Sequence, residues 1–117
     1  MKWRILSLKK NWQFEKIINF GEKIFDNYFN IFFTKNDLEN CRFGICVSKK
    51  IVKKSVKRNF YKRQIRNIII NYNKKSKKHF HNDKIIIIRK NFFEKTFFEK
   101  NQKLNNLLSI IDNKYKK

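Results

Sequence analysis

From Lys49 to Lys78 the chain carries no carboxylate, and its cations gather in the run Lys57-Arg58-Asn59-Phe60-Tyr61-Lys62-Arg63-Gln64-Ile65-Arg66. Wound as a helix at about 100° per residue, this run places Arg58, Asn59, Lys62, Arg63 and Arg66 on one face. Lys49, Lys50, Lys53 and Lys54 add charge just before the helix N-terminus, where the dipole already favours an anion. Like charges crowded on one face repel, and a docked polyanion relieves the repulsion. The chain holds 24 Lys but only 6 Arg, and Arg58, Arg63 and Arg66 are three of the six. Arginine offers phosphate a planar fork where lysine offers a point charge. The chemistry of this stretch is phosphate recognition. Lys74, Lys75, Lys77 and Lys78 read equally well as a solvated loop.

Hydrolysis needs a metal, a general base, or both. His79 and His81, with Asp83 nearby, are the one candidate pair, and an exposed loop is their ordinary reading. The acids Glu15, Glu22, Asp26, Asp37, Glu39, Glu94, Glu99 and Asp112 are scattered. Cys41 and Cys46 form no CxxC pair and no zinc spacing. Two glycines cannot make a phosphate-cradling loop. No catalytic residue and no metal ligand is therefore assigned to the chain itself.

Phe14, Tyr28 and Phe32, among many Lys and Arg, suit a platform on which unpaired bases stack, at about 1–3 kcal/mol per base. With 13 Phe in the chain, ordinary core packing is the competing account.

These residues must be held by a single domain of 117 residues. The net charge is +21 and the pI about 10.3, which points to nucleic acid or, less economically, to an anionic membrane surface. Ile, Phe, Leu and Val make up a third of the residues, above the roughly 20% at which disorder is expected. The abundance of Lys, Asn, Ile and Phe is the imprint of AT-rich codons. The N-terminus shows no signal peptide, and Ile85 to Ile88 is too short to span a bilayer. A soluble, cytoplasmic protein is expected, with no membrane contact.

Along the chain, Asn11 can cap a helix bearing Phe14, Ile17 and Ile18 and closed by Gly21. From about Ile24 to Thr34 the period is two, with Phe29, Ile31 and Phe33 on one face and Tyr28, Asn30 and Phe32 on the other. Residues 35–40 read as a turn. Arg42 to Ser48 alternates again, so the two strands suggest an antiparallel hairpin. Ser55 caps the longest helix, about Val56 to Asn73, whose apolar stripe is Tyr61, Ile65, Ile68 and Tyr72. A basic loop over 74–82 leads to Ile85–Ile88, a strand buried on both faces and suited to parallel pairing through the helix. Thr96-Phe97-Phe98-Glu99 matches a capping box, opening a helix with Phe97, Leu104, Leu107, Leu108 and Ile111 at core spacing. The result is an α+β sandwich, α-β-β-(β)-α-β-α, with an ordered core over about 8–112.

Lys57-Arg58-Asn59-x-x-Lys62-Arg63-x-x-Arg66 resembles the RNR motif of the bacterial ribonuclease P protein family. Leu8-Lys9-Lys10-Asn11-x-x-Phe14 resembles that family's first helix, and Arg42-Phe43-Gly44-Ile45-x-Val47-Ser48-Lys49-Lys50 the strand leading to the motif. Asp83 with Ile85-Ile86-Ile87-Ile88-Arg89 resembles its final strand. The resemblance implies a mixed sheet with a left-handed βαβ crossover, the fold also called ribosomal-protein domain 2-like. It implies that Arg58, Asn59, Lys62, Arg63 and Arg66, with Lys49 and Lys50, contact a catalytic ribonuclease P RNA. It further implies that Phe14, Ile18, Phe32 and Arg89 line a cleft for the single-stranded 5′ leader of precursor tRNA. Magnesium would be held through the RNA subunit, in a holoenzyme of one protein to one RNA. Phe60 stands where the family often has a further Arg, and Ile18 where an aromatic is common. The alternatives are a structural RNA-binding protein, such as a small ribosomal protein, and a metal-dependent nuclease using His79 and His81.

Overall fold

In the computed structural model, which describes residues 5–8, 10–36, 41–75, 82–94 and 96–114, nine elements follow one another. They are β1 (Ile5–Ser7), α1 (Asn11–Phe20), β2 (Glu22–Phe25), β3 (Phe29–Lys35), β4 (Cys41–Cys46), α2 (Ser55–Lys75), β5 (Asn82–Ile88), a 3-10 turn (Lys90–Glu94) and α3 (Phe97–Lys114). Four consecutive isoleucines leave β5 no polar face, so it needs a strand on each edge and a layer on each side. It occupies the middle of a five-stranded sheet of order β1-β4-β5-β3-β2. Ile85 and Ile86 are fully buried.

This centrality overturns the expected hairpin between β3 and β4. The two do not pair; β5 lies between them, antiparallel to β3 and parallel to β4. The parallel pairing through α2 agrees with the sequence. The hairpin that does form joins β2 to β3, where one continuous strand is suggested by the period. Asp26 breaks it: its Oδ1 accepts from the amides of Tyr28 at 2.7 Å and Phe29 at 2.8 Å, a side chain standing in for a turn of backbone. The three-residue β1, parallel to β4, lies outside the expected ordered core.

The strand alternation sorts two cores. Phe29, Ile31, Phe33, Phe43, Ile86 and Ile88 face α2 and α3, and meet Ile65, Ile68, Ile69, Leu104, Leu107, Leu108 and Ile111. Leu8, Ile17 and Ile85, with Phe14, Phe32, Cys46 and Ile87, form the smaller core under α1. The 3-10 turn inserts Phe92 and Phe93, whose rings meet Tyr61 edge-on at 5.7 and 4.8 Å. Phe97, placed in the core by its spacing, is instead 47% exposed, and the buried face of α3 begins at Lys100 and Leu104.

The caps shift by one residue. Lys10, in extended conformation, precedes α1, and its amide donates to Gln13 Oε1 at 3.2 Å, so Asn11 is already helical. Likewise the Arg58 amide bonds the Lys54 carbonyl, which puts the cap of α2 at Lys54 rather than Ser55. Thr96 Oγ1 accepts from the Glu99 amide at 3.2 Å as expected. Gly21 closes α1 without a left-handed φ. It is needed because a Cβ there would lie 2.5 Å from the Ile17 carbonyl and 2.7 Å from that of Phe33.

Candidate nucleic-acid interface

The apolar stripe of α2 fixes which side faces away. Ile65 and Ile68 are fully buried, while Asn59, Arg63 and Arg66 are exposed and Lys62 is half-buried. No carboxylate pairs with Lys62, Arg63 or Arg66 among the described residues; the three ion pairs there are Arg42–Asp83, Lys84–Asp112 and Lys114–Glu22. Lys49 and Lys50 are exposed on a turn held by the Ser48 carbonyl, which accepts from the amides of Ile51 and Val52. The turn sets both lysines just ahead of the positive end of α2.

Arg58 departs from the rest of the face. Its Nη1 donates to the carbonyls of Val52 at 2.9 Å and Lys53 at 2.8 Å. One end of the fork ties the lysine-rich approach to the first turn of α2, and its Nε and Nη2 make no hydrogen bond among the described residues. Phe60 is 55% exposed and rests edge-on against Tyr61 at 5.5 Å.

On the other face of the sheet, the α1 side, the register lines up Phe32, Ile85 and Gly44 across β3, β5 and β4. Phe14 descends from α1 onto this row. Phe14 and Phe32 are both half-buried and join one cluster with Cys46 and Ile87, so the structure brings these two predicted cleft residues together. Ile18, 42% exposed, stands at the rim. Arg89 follows β5, exposed, with Nη1 donating to the Asp26 carbonyl at 2.8 Å. Tyr28 does not belong to the platform. It precedes β3, where alternation has no hold, and it is buried with the opposite core.

Sequence reasoning missed three participants. Lys23 opposes Phe32 across the β2–β3 hairpin, and its Nζ lies 5.6 Å from the Phe32 ring centre and 5.3 Å from that of Phe25, which is 61% exposed. Recognition of the Asp26 turn would have found both. Cys46 packs in the same cluster as Phe14 and Phe32. Burial pushes the thiol above its ordinary value, and the nearby Lys62 ammonium partly opposes that.

Among the described residues no group of three or more His, Cys, Asp or Glu could hold a metal ion; His79 and His81 lie outside them. No described helix is long and apolar enough to cross a membrane.

The sequence and the fold both match known proteins. The family model described as Ribonuclease P matches residues 4–112. The ribonuclease P protein component of Mesomycoplasma hyopneumoniae is 42% identical over 101 residues, 86% of this chain and 88% of that protein. That of Fusobacterium nucleatum is 47% identical over 89 residues, covering 75% and 77%. The solved RNase P protein of Staphylococcus aureus superposes with a TM-score of 0.79 at 28% identity, covering 90% of this chain and 94% of that one. For the Thermotoga maritima protein the TM-score is 0.75 at 31% identity, with 87% and 94% covered. The chain belongs to the ribonuclease P protein family and is a protein component of that endoribonuclease.

Proposed function

We propose that α2 binds the ribonuclease P RNA through Lys62, Arg63, Arg66 and Asn59, with Lys49 and Lys50 extending the contact. In this reading the cleft of Phe14, Ile18 and Phe32, with Arg89 at its end, takes the single-stranded 5′ leader of precursor tRNA. The observation that carries it is the face of α2 on which Lys62, Arg63 and Arg66 stand without a carboxylate partner among the described residues, in a fold that also gathers Phe14 and Phe32 into one half-buried cluster. Phosphate contacts fix register; stacking on aromatics is tolerant of sequence, which a subunit serving many precursors requires. Arg58 contributes by holding the segment before α2 as well as by any phosphate contact.

Three of the described carboxylates are already engaged within the fold, which supports a division of labour in which magnesium is held by the RNA subunit. Asp83 is engaged by Arg42 and Asn36, Asp112 by Lys84 and Tyr72, and Asp26 by backbone amides. The protein then raises substrate affinity rather than activating water. One protein acts with one RNA, in the cytoplasm.

Reconstitution tests the reading. Added to a bacterial ribonuclease P RNA at low magnesium, the protein is expected to stimulate precursor cleavage, more strongly for substrates with a leader than without. Absence of stimulation, or stimulation indifferent to the leader, would count against it.

A further inference from the structure

We propose that a recess at the N-terminal end of α1 binds one unpaired nucleotide of single-stranded RNA, extending the leader path beyond the cleft. The proposal rests on the leader-binding reading above. The recess has a volume of about 360 Å³, at the small end of ligand pockets (roughly 300–1,000 Å³). Trp12, Lys16, Lys35, Asn36, Arg42 and Asp83 line it, and none of them is used by the cleft described so far.

Its parts suit a nucleotide. Trp12 is 59% exposed, and its indole makes no hydrogen bond among the described residues. A large ring left in water beside a polar recess offers a stacking face. The floor is the planar pair of Arg42 and Asp83, with Nε to Oδ1 at 2.8 Å and Nη2 to Oδ2 at 2.6 Å. Asn36 Nδ2 also donates to Asp83 Oδ1, at 2.7 Å. Asp83 is thereby occupied, while Arg42 Nη1 makes no hydrogen bond among the described residues. The floor therefore presents donors, which match the acceptor atoms on base edges. Lys16 and Lys35 are exposed at the mouth, where backbone phosphates would lie.

Continuity selects the occupant. Ile17 forms part of the recess wall and part of the core beneath the cleft, so the two sites share a seam along α1. From Trp12 to Ile18 the helix axis advances about 9 Å. That is about two to three nucleotides at a stacked rise of ~3.4 Å. A leader laid through the cleft reaches the recess after a few further residues.

The chain contains two tryptophans, so Trp3→Phe leaves Trp12 as the sole reporter. The holoenzyme assembled with this variant would be titrated with precursor tRNAs whose leaders lengthen one nucleotide at a time. Quenching of Trp12 is expected to begin at a threshold length. Trp12→Ala should weaken binding about fivefold to a hundredfold above that threshold and leave shorter leaders unaffected. If leader length still strengthens binding but Trp12 is never quenched and Trp12→Ala matches wild type, the inference fails and the cleft reading stands. Quenching already complete without a leader assigns the recess to the RNA subunit or the tRNA body, and overturns the inference. Affinity independent of leader length, and unchanged by Phe14→Ala, removes both readings.

Discussion

Two ring carbons of Phe14 occupy the space in which a side chain on Gly44 would begin: a Cβ there would stand 2.6 Å from Cε1 and 2.7 Å from Cζ. The contact seats α1 on β4 and sets the depth of the cleft. A ring at the end of a side chain can swing away where backbone could not. Gly44→Ala is therefore expected to fold, at a cost of about 1–3 kcal/mol typical of overpacking, with Phe14 displaced. Urea denaturation and leader affinity should both fall short of wild type. In a Phe14→Ala background the same change should cost close to nothing, the signature of a direct coupling. Equal cost in both backgrounds would show that the ring does not set the constraint.

The arginines of α2 should separate by assay. Arg58 bridges the carbonyls of Val52 and Lys53, whereas Arg63 and Arg66 make no side-chain hydrogen bond or ion pair among the described residues. Arg58→Ala should lower stability by about 1 kcal/mol, less than a buried charged hydrogen bond because the site is half-open. Arg63→Ala and Arg66→Ala should stay within about 0.5 kcal/mol of wild type yet weaken RNA binding. Urea titrations of the three variants decide it. Arg63→Lys, which keeps the charge, should still bind RNA more weakly because the fork is lost.

Five of the cations proposed to contact RNA, Lys49, Lys50, Lys62, Arg63 and Arg66, have no ion pair among the described residues. If each neutralises one phosphate, log K should fall with log salt at a slope of about −3.5 to −4.5. Arg66→Ala should reduce that slope by about 0.7–0.9. A slope near zero, measured by filter binding across salt concentrations, would contradict an electrostatic interface.

What the sequence disclosed follows the physics of each signal. The α2 stripe and the Ile85–Ile88 run are long, strongly patterned and buried, and both appear where periodicity puts them. Chain proximity suggests a β3–β4 hairpin, but the demand of β5 for two neighbours outweighs it and separates the pair. The Asp26 turn lacks glycine and proline; its turn chemistry sits in one carboxylate, so β2 merged with β3 and Lys23 vanished from the site. Charge disclosed the basic face, but not that Arg58 also serves the backbone. Aromatic type alone could not separate Phe32, in the cleft, from Tyr28, in the opposite core.

Beneath the sheet, Lys84 is 2% exposed, with Nζ bonded to Asn82 Oδ1 at 2.7 Å and Asp112 Oδ1 at 3.2 Å. Tyr72 donates to Asp112 Oδ2 at 2.6 Å, and burial with this bond holds the phenol protonated far above its ordinary range. The three residues tie β5, α2 and α3 together. Removing one member strands a buried charge, so Asp112→Ala should destabilise by about 3–5 kcal/mol. Lys84→Met with Asp112→Leu should recover most of that loss, since no charge remains buried. Denaturation midpoints of the single and double variants test it, and a double variant no better than the single would refute the account.

Alkylation of Cys46 tests whether the charge of Lys62 reaches the cleft. The thiolate is the nucleophile, and burial raises the pKa of this thiol while Lys62 partly offsets the rise. Near neutral pH the thiolate fraction is therefore small, and the alkylation rate should climb about tenfold per pH unit until the raised pKa is reached. Lys62→Ala removes the cation that favours the thiolate, so the pKa rises further and alkylation at a given pH slows. Docked phosphate neutralises the same ammonium and covers the cleft, so RNA should slow the reaction too. Cys41, buried among β4's neighbours, should stay unmodified and serve as internal control. Iodoacetamide labelling followed by mass spectrometry reads both sites at once. A rate that levels off below neutrality would refute the burial-raised thiol, and an unchanged or faster reaction in Lys62→Ala would mean that Lys62 does not act on Cys46.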